Sequence, residues 1–205
     1  INGSYDKLSM GEVIAAINKH TKGDAVLVTD VGQHQMVACR YTDFVRSRSN
    51  VTSGGLGTMG FALPAALGAK MGAPEREVVA VIGDGGYQMT IQELGTIFQT
   101  QAAVKIVVLN NEFLGMVRQW QELFFEGRYS ETNLSDNPDF VQLAAVFGIP
   151  GQTITHANQV DDAITALLNS DGPYIVHACI DDKENVWPLV PPGAANDEMM
   201  TEKAQ

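Results

Sequence analysis

The segments VVAVIGDGG at residues 78–86 and VKIVVLNN at residues 104–111 indicate most clearly how this chain folds. Each begins with branched apolar residues, which are typical of strands buried on both faces of a parallel sheet. Each run is followed directly by polar residues, Asp84 in the first case and Asn110-Asn111 in the second. Ligands of open α/β sheets bind at the carboxyl ends of the strands. The sequence therefore predicts a carboxylate and a carboxamide at one binding edge.

Elsewhere, apolar strand patterns alternate with helical ones. Further strands are predicted at residues 25–29 and 174–180. Helices are predicted at residues 9–19, 61–71, 90–100, 115–123 and 137–148, and after a cap at Asn158. Polar or glycine-rich loops are predicted at residues 30–34, 52–60 and 83–86. This alternation predicts an α/β fold with a doubly wound, mostly parallel sheet of about five or six strands and helices on both faces.

Size, composition and charge limit the classes of protein to which the chain can belong. Its 205 residues, 45% of them hydrophobic, suit one globular domain with a tail. The net charge of −11 argues against nucleic acid and anionic membranes as partners. No apolar run approaches the roughly 20 residues of a membrane span, and residues 1–8 lack a signal-peptide pattern. Cys39 and Cys179 are predicted to be buried thiols, which fits a cytoplasmic protein.

The loops at the strand ends are more informative together than singly. Taken alone, Gly83-Asp84-Gly85-Gly86 is more often a tight turn, and Asn110-Asn111 an Asx turn or a helix cap. A strand, a glycine-rich loop and a helix N-terminus together favour a bound anion, yet Asp84 adds a negative charge there. Mg²⁺ would resolve this conflict, because it takes oxygen ligands and bridges protein carboxylates to phosphate. Asp84 and the side-chain oxygen of Asn111 are two such ligands.

Other phosphate-binding motifs fit less well. The chain has no Gly-x-x-x-x-Gly-Lys-Ser/Thr motif, which excludes a P-loop. Residues 55–60, GLGTMG, match Gly-x-Gly-x-x-Gly, but they follow no clear strand and no acidic residue ends a strand at the usual distance. A non-catalytic doubly wound module that binds a nucleotide, or only another protein, is the alternative from a different functional class.

Longer strings resemble one enzyme family. Gly83-Asp84-Gly85, followed farther along by Asn110-Asn111, resembles the signature of thiamine-diphosphate enzymes. Within that superfamily, five strings are similar to the catalytic large subunit of acetolactate synthase (acetohydroxyacid synthase): VGQHQM at 31–36, TSGGLGTM at 52–59, LPAA at 63–66, GMVRQWQ at 115–121 and RYS at 128–130. The resemblance implies a C-terminal thiamine-diphosphate-binding domain at residues 1–192, and the composition of residues 193–205 predicts an acidic tail. The family's N-terminal pyrimidine-binding domain and middle FAD domain have no counterpart in this chain.

The resemblance also implies roles for individual residues. Asp84 and Asn111 look like the side-chain ligands of Mg²⁺, with the main-chain carbonyl of Phe113 as the third protein ligand. The positions that correspond to contacts with thiamine diphosphate are Gln33, His34, Gly57, Met59, Gly85, Gly86 and Met89. Met116 and Trp120, which share one helix face, correspond to the substrate channel, with ordinary core packing as the alternative. No catalytic acid or base is expected, because the family's activating glutamate belongs to the N-terminal domain.

The activity implied by the resemblance is condensation of two pyruvates, or of pyruvate and 2-ketobutyrate, with loss of CO₂. The products, 2-acetolactate or 2-aceto-2-hydroxybutyrate, serve branched-chain amino-acid biosynthesis. The resemblance further implies FAD in the parent enzyme, a homodimer or tetramer, and a regulatory small subunit. The alternative within enzymes is another thiamine-diphosphate-dependent decarboxylase or oxidase of 2-keto acids. The chain alone is expected to lack synthase activity and to bind Mg²⁺ and thiamine diphosphate weakly.

Overall fold

The computed structural model describes residues 7–201, which are built around a six-stranded parallel sheet. The strands are β1 (Val26–Thr29), β2 (Asn50–Thr52), β3 (Val78–Gly83), β4 (Val104–Asn110), β5 (Gly151–Ile154) and β6 (Tyr174–Cys179). Their order across the sheet is β2-β1-β3-β4-β6-β5. The predicted doubly wound α/β fold is therefore confirmed.

Helices connect these strands. They are α1 (Met10–Thr21), α2 (Gln33–Tyr41), α3 (Ala62–Gly72), α4 (Asp84–Met89), α5 (Glu93–Thr100), α6 (Gly115–Phe124), α7 (Phe140–Val146) and α8 (Val160–Asn169). The capping box predicted at the start of α1 is present, with Ser9 Oγ accepting the Glu12 N–H and the Glu12 carboxylate accepting the Ser9 N–H. In the part of the chain that the structure describes, no helix combines the length and apolarity required to cross a membrane.

Each face of the sheet has its own hydrophobic core, because successive side chains of a strand point to opposite faces. On β3, Val79 and Val81 pack into one core together with residues of α1, α2 and α8. Ala80 and Ile82 pack into the other core with residues of α3, α5 and α7. With both faces covered, the central strands have no solvent side, which explains their uninterrupted apolar runs.

The path of the chain opens a crevice at the carboxyl edge of the sheet. After β1 the chain moves outward to β2, and it then returns through α3 to β3 on the other side of β1. The helix after β1 packs into one core, whereas Tyr87 of the helix after β3 packs into the other. The two connections therefore diverge to opposite faces, which is the topological switch point where ligands of such sheets bind.

Two helices were not predicted, and some helix starts differ from the prediction. Gln33, His34 and residues 84–86 were predicted in loops, but they form the first turns of α2 and α4. α4 follows β3 without any intervening loop. The cap of α7 is Asp139, whose carboxylate accepts the N–H groups of the next turn, so Asn137 is not the cap. Asn158 likewise does not cap α8, since it lies in a short 3₁₀ turn that precedes this helix.

The two outer strands and the C-terminal segment were not described by the prediction. β2 and β5 are short and mostly half-exposed, so they lack the apolar runs that identify β3 and β4. After β6, Val186 and Leu189 are buried, and Leu189 pairs with Met200 across the predicted boundary at residues 192/193. Residues 1–6 and 202–205, which include most of the segment tested for a signal-peptide pattern and part of the predicted acidic tail, lie outside the described residues.

Candidate functional site

A cavity of about 220 Å³ lies at the switch point, where the ends of β1, β3 and β4 meet. The residues that line it are Met10, Val31, Gly32, Gln33, His34, Met59, Gly83, Asp84, Gly85, Gly86, Leu109, Asn111, Phe113, Leu114, Gly115, Met116 and Val117. Most of them come from the segments that directly follow the three strands. The sheet topology therefore brings together polar groups that lie far apart in the sequence.

Three helices begin at this cavity: α2 at Gln33, α4 at Asp84 and α6 at Gly115. The first N–H groups of a helix have no partner within the helix, and none of these three starts has a side-chain cap. Elsewhere, α1 and α7 are capped by Ser9 and Asp139, whereas α3, α5 and α8 also lack a side-chain cap, so the distinctive feature is that three helix starts meet at one cavity. The positive ends of three helix dipoles thus line one cavity, an arrangement that favours an anion.

Asp84 is the only carboxylate among the described residues that line the cavity. It is 2% exposed, and its Oδ2 accepts a hydrogen bond from Asn137 Nδ2 at 2.8 Å. Burial raises the pKa of Asp84 to about 6, although the hydrogen bond from Asn137 opposes the rise. Within residues 7–201, Asp84 forms no ion pair with lysine or arginine. Because a buried charge without a partner is costly, a cation in the cavity would stabilise this carboxylate.

Asn111 and Phe113 also line the cavity, directly after β4. Asn111 is 5% exposed; its Nδ2 donates to Gln33 Oε1 at 3.1 Å, and its Oδ1 accepts the Phe113 N–H at 3.3 Å. Main-chain hydrogen bonds on either side of Phe113 hold it against residues 132–134. The cavity wall thus offers a carboxylate, a carboxamide and a main-chain segment, which are all sources of oxygen ligands.

His34 is held by the carboxylate of Asp30, which lies at the end of β1 and does not itself line the cavity. Its Nε2 lies 2.6 Å from Asp30 Oδ1, and the Gly60 N–H donates to Asp30 Oδ2 at 3.0 Å. The Asp30 side chain is fully buried. Asp30 therefore links the end of β1, the start of α2 and the end of the glycine-rich loop.

The structure brings most of the predicted site residues to this one cavity. Those in its wall are Gln33, His34, Met59, Asp84, Gly85, Gly86, Asn111, Phe113 and Met116. The side-chain amide of Gln33 is already occupied, since it bonds to Gln119, to the main chain of Glu184 and to Asn111. Any contact of Gln33 with a ligand anion would therefore use its main-chain N–H, at the start of α2.

Three predicted residues lie outside the cavity wall. Gly57 lies in the glycine-rich loop behind Val31, which lines the cavity. Met89, at the end of α4, is 57% exposed. Trp120 lines an adjoining cleft of about 530 Å³ that shares Val117 with the cavity, and its ring packs against Phe124 at 5.2 Å between centroids.

Asp30, Gln119 and Asn137 contact site residues but were not singled out from the sequence. A signal existed for two of them. Asp30 stands four residues before His34, a spacing that lets the two side chains meet. Gln119 shares a helix face with Met116 and Trp120, and a buried carboxamide needs hydrogen-bond partners. Asn137 carried no signal, because a long connection brings it to Asp84.

The site suits a hard cation bound together with a phosphate. In the described residues, no group of three or more His, Cys, Asp or Glu side chains could hold a metal by itself. Mg²⁺ does not require such a group, since it is commonly bound through one or two carboxylates plus the phosphates of a ligand. The buried carboxylate of Asp84 suits the cation of such a pair, and the three helix starts suit its phosphate.

Comparison with known proteins agrees with this chemistry. The family model described as "Thiamine pyrophosphate enzyme, C-terminal TPP binding domain" matches residues 30–178. The chain is 55% identical over 188 residues to the acetolactate synthase isozyme 2 large subunit of Escherichia coli (strain K12), covering 92% of this chain and 34% of that protein. It is 43% identical over 189 residues to the acetolactate synthase large subunit of Lactococcus lactis subsp. lactis (strain IL1403), covering 92% and 33%.

A solved structure also matches. The thiamine diphosphate-dependent 4-hydroxybenzoylformate decarboxylase of Rhodococcus jostii RHA1 superposes with a TM-score of 0.82 at 26% identity, over 90% of this chain and 34% of the other. The chain spans about a third of the length of the curated relatives that it matches. Because the family model covers most of the chain, we conclude that the chain belongs to the thiamine pyrophosphate enzymes, as a C-terminal TPP-binding domain.

Proposed function

We propose that the cavity binds Mg²⁺ together with thiamine diphosphate, and that the chain is the diphosphate-binding domain of an acetolactate synthase large subunit. The observation that carries the proposal is a buried carboxylate without a cation, Asp84, in one cavity with Asn111 and three uncapped helix starts. The 55% identity to the E. coli large subunit favours this activity. The decarboxylase that matches in structure is only 26% identical.

In this proposal the Mg²⁺ ligands are the Asp84 carboxylate, Asn111 Oδ1 and the Phe113 carbonyl. The main-chain N–H groups at the starts of α2 and α4 bind the diphosphate, because free N–H groups at a helix N-terminus favour anions. When bound, thiamine diphosphate supplies the carbanion chemistry that decarboxylates one 2-keto acid and joins the remainder to a second. The remaining proposed cofactor contacts are His34, Gly57, Met59, Gly85, Gly86 and Met89.

The chain's own contribution is to bind and orient this group. Asp84 is held by Asn137, so its carboxylate has a fixed direction before a metal arrives. Met59 and Met116 add apolar walls beside the polar end of the cavity. We place Met116 in the substrate channel and Trp120 farther along it, in the adjoining cleft that shares Val117.

The activity of the whole enzyme needs parts that lie outside this chain. We propose pyruvate and 2-ketobutyrate as substrates, FAD in the parent enzyme, a homodimer or tetramer, and a regulatory small subunit. The activating glutamate would come from an N-terminal domain, so the chain alone should form no acetolactate from pyruvate. Product analysis checks this expectation, and acetolactate formed by the isolated chain would contradict it. The same assay on the parent enzyme would distinguish a synthase from a decarboxylase, which would release an aldehyde.

Asp84→Ala tests the metal site directly. Removing this ligand is expected to weaken Mg²⁺-dependent binding of thiamine diphosphate at least tenfold, or about 1.4 kcal/mol, because the cation loses its only charged protein ligand. Calorimetry with and without Mg²⁺ measures the effect, on this chain and on the parent enzyme. Asp136→Ala is the control, since Asp136 is exposed and does not line the cavity. Equal affinities of the two variants would favour a nucleotide-binding or protein-binding module instead.

A further inference from the structure

Three buried carboxamides lie end to end between the C-terminal segment and the cavity. They belong to Gln119 on α6, Gln33 on α2 and Asn111 after β4, which are 0%, 4% and 5% exposed. A carboxamide oxygen only accepts hydrogen bonds and its nitrogen only donates them. Two donors or two acceptors facing each other in a buried place are costly. The orientation of each amide therefore determines that of the next.

The main chain fixes the first amide. Gln119 Oε1 accepts the Val186 N–H at 3.0 Å, and Gln119 Nε2 donates to the Val186 carbonyl at 3.0 Å. A main-chain N–H cannot accept and a carbonyl cannot donate, so the Gln119 amide has one permitted orientation. Its oxygen also accepts from Gln33 Nε2 at 2.9 Å.

The orientations of the other two amides agree with that of Gln119, and each also has a main-chain partner. Gln33 Nε2 faces Gln119 and also donates to the main-chain carbonyl of Glu184 at 3.1 Å. Gln33 Oε1 consequently faces the other way, where it accepts from Asn111 Nδ2 at 3.1 Å. Asn111 Oδ1 accepts the Phe113 N–H at 3.3 Å, a contact that favours the same orientation, and the remaining lone pair of Oδ1 can serve the cavity. A reversed Asn111 would present an NH₂ group, which cannot ligate a cation.

We propose that Gln119 is a positioning residue that, through Gln33 and together with the Phe113 N–H, holds the oxygen end of Asn111 toward the metal site. This inference rests on the proposed function, since it takes Asn111 as a ligand of Mg²⁺. Gln119 itself touches neither the cavity nor the proposed metal. Partners that orient metal ligands typically change metal affinity by roughly 10–100-fold when they are removed.

Two substitutions at Gln119 separate orientation from stability. Gln119→Met keeps the side-chain length and removes both polar ends. Gln119→Glu keeps an oxygen for Gln33 Nε2, so it preserves the orientation of Gln33, although it buries a carboxyl group and leaves the Val186 carbonyl without its donor. Gln121→Met is the matched control. Gln121 lies on the same helix and bonds the N–H and carbonyl of Ser130 in the same way, but it does not contact Gln33.

Calorimetry with thiamine diphosphate, with and without Mg²⁺, measures the effect of each variant, and thermal unfolding measures stability. We expect Gln119→Met to lower the Mg²⁺-dependent affinity about tenfold or more. Gln119→Glu and Gln121→Met should keep the affinity of the unmodified chain, even if Gln119→Glu unfolds at a lower temperature than Gln119→Met. An affinity that falls in step with the unfolding temperature across the three variants would overturn the inference, because a purely structural role predicts that outcome.

Side-chain NMR provides a test that needs neither metal nor cofactor. In the unmodified chain, the NH₂ protons of Asn111 should exchange with solvent far more slowly than those of Asn133, whose exposed side chain bonds only to Ser135. Gln119→Met should weaken this protection, and Gln119→Glu should retain it. Equal exchange of Asn111 and Asn133 in the unmodified chain would overturn the inference even if no variant folds. If protection is found but thiamine diphosphate does not bind, the proposed function fails and the orienting role of Gln119 stands.

Discussion

Alanine at position 86 is expected to lower the free energy of unfolding by about 3 kcal/mol or more, a severe case of overpacking. A Cβ added to Gly86 would overlap Asp30 Oδ2. Asp30 cannot easily move, because its two carboxylate oxygens bond to His34 and to the Gly60 N–H, and its side chain is fully buried. The added methyl group must therefore distort the start of α4 or break hydrogen bonds to a buried charge.

Chemical denaturation measures this loss, and two other glycines provide controls. Gly68→Ala lies on the exposed side of α3 with open space around the added Cβ, so we expect it to stabilise the chain by about 0.5–1 kcal/mol. Gly85→Ala should have an intermediate effect, because its added Cβ meets the ends of the Leu114 and Met59 side chains, which can move. A Gly86→Ala variant that unfolds at the same denaturant concentration as the unmodified chain would contradict the rigid role given to Asp30.

The central sheet could be predicted because its signal is local. β3 and β4 are covered on both faces, so nearly all of their side chains are buried. Their sequences therefore form almost continuous apolar runs. β2 and β5 are edge strands in which most residues are half-exposed. Their conformation depends on pairing with β1 and β6, which are distant in the sequence, and not on a pattern within the segment. The edges of the sheet were therefore missed for a physical reason.

It could also be predicted from local patterns that Asp84 and Asn111 line one cavity. Both follow neighbouring parallel strands, and the carboxyl ends of such strands share an edge. The side chains that orient them could not be predicted in this way. Asn137 and Gln119 reach Asp84 and Gln33 only once α6 and the connection to α7 are in place. The helix period puts Gln119 on the side of α6 that carries Met116, but no local pattern identifies the partner of either side chain.

Met116 and Trp120 show where a correct local pattern gives an incomplete answer. Their spacing does put them on one side of α6, as predicted. Four residues nevertheless separate them by about 6 Å along the helix axis, and the cavity with Asp84 is lined by Met116 and Val117 but not by Trp120. The helix period specifies direction but not how far a cavity extends, so Trp120 lies in the adjoining cleft.

Lys105→Met is expected to lower the free energy of unfolding by about 2 kcal/mol, and the melting temperature by about 4–8 °C. Lys105 interrupts the apolar run of β4, yet it is only 1% exposed. Its Nζ donates to the main-chain carbonyls of Ser170 and Gly172, in the turn that follows α8. The amine thus supplies donors to carbonyls at the C-terminal end of a helix, where a positive charge is also favourable.

Two opposing contributions decide how much Lys105 stabilises the fold: the cost of burying its amine and the gain from its two hydrogen bonds. Burial lowers the pKa of Lys105, which shows that the charged form is destabilised, but a neutral amine still donates hydrogen bonds. Methionine fills a similar volume and donates none, so both carbonyls lose their partner. Lys70→Met is the matched control, because Lys70 is half-buried and donates to a single carbonyl, that of Arg76. If Lys105→Met were as stable as the unmodified chain, desolvation of the amine would equal the contribution of its two hydrogen bonds, and the turn after α8 would not depend on Lys105.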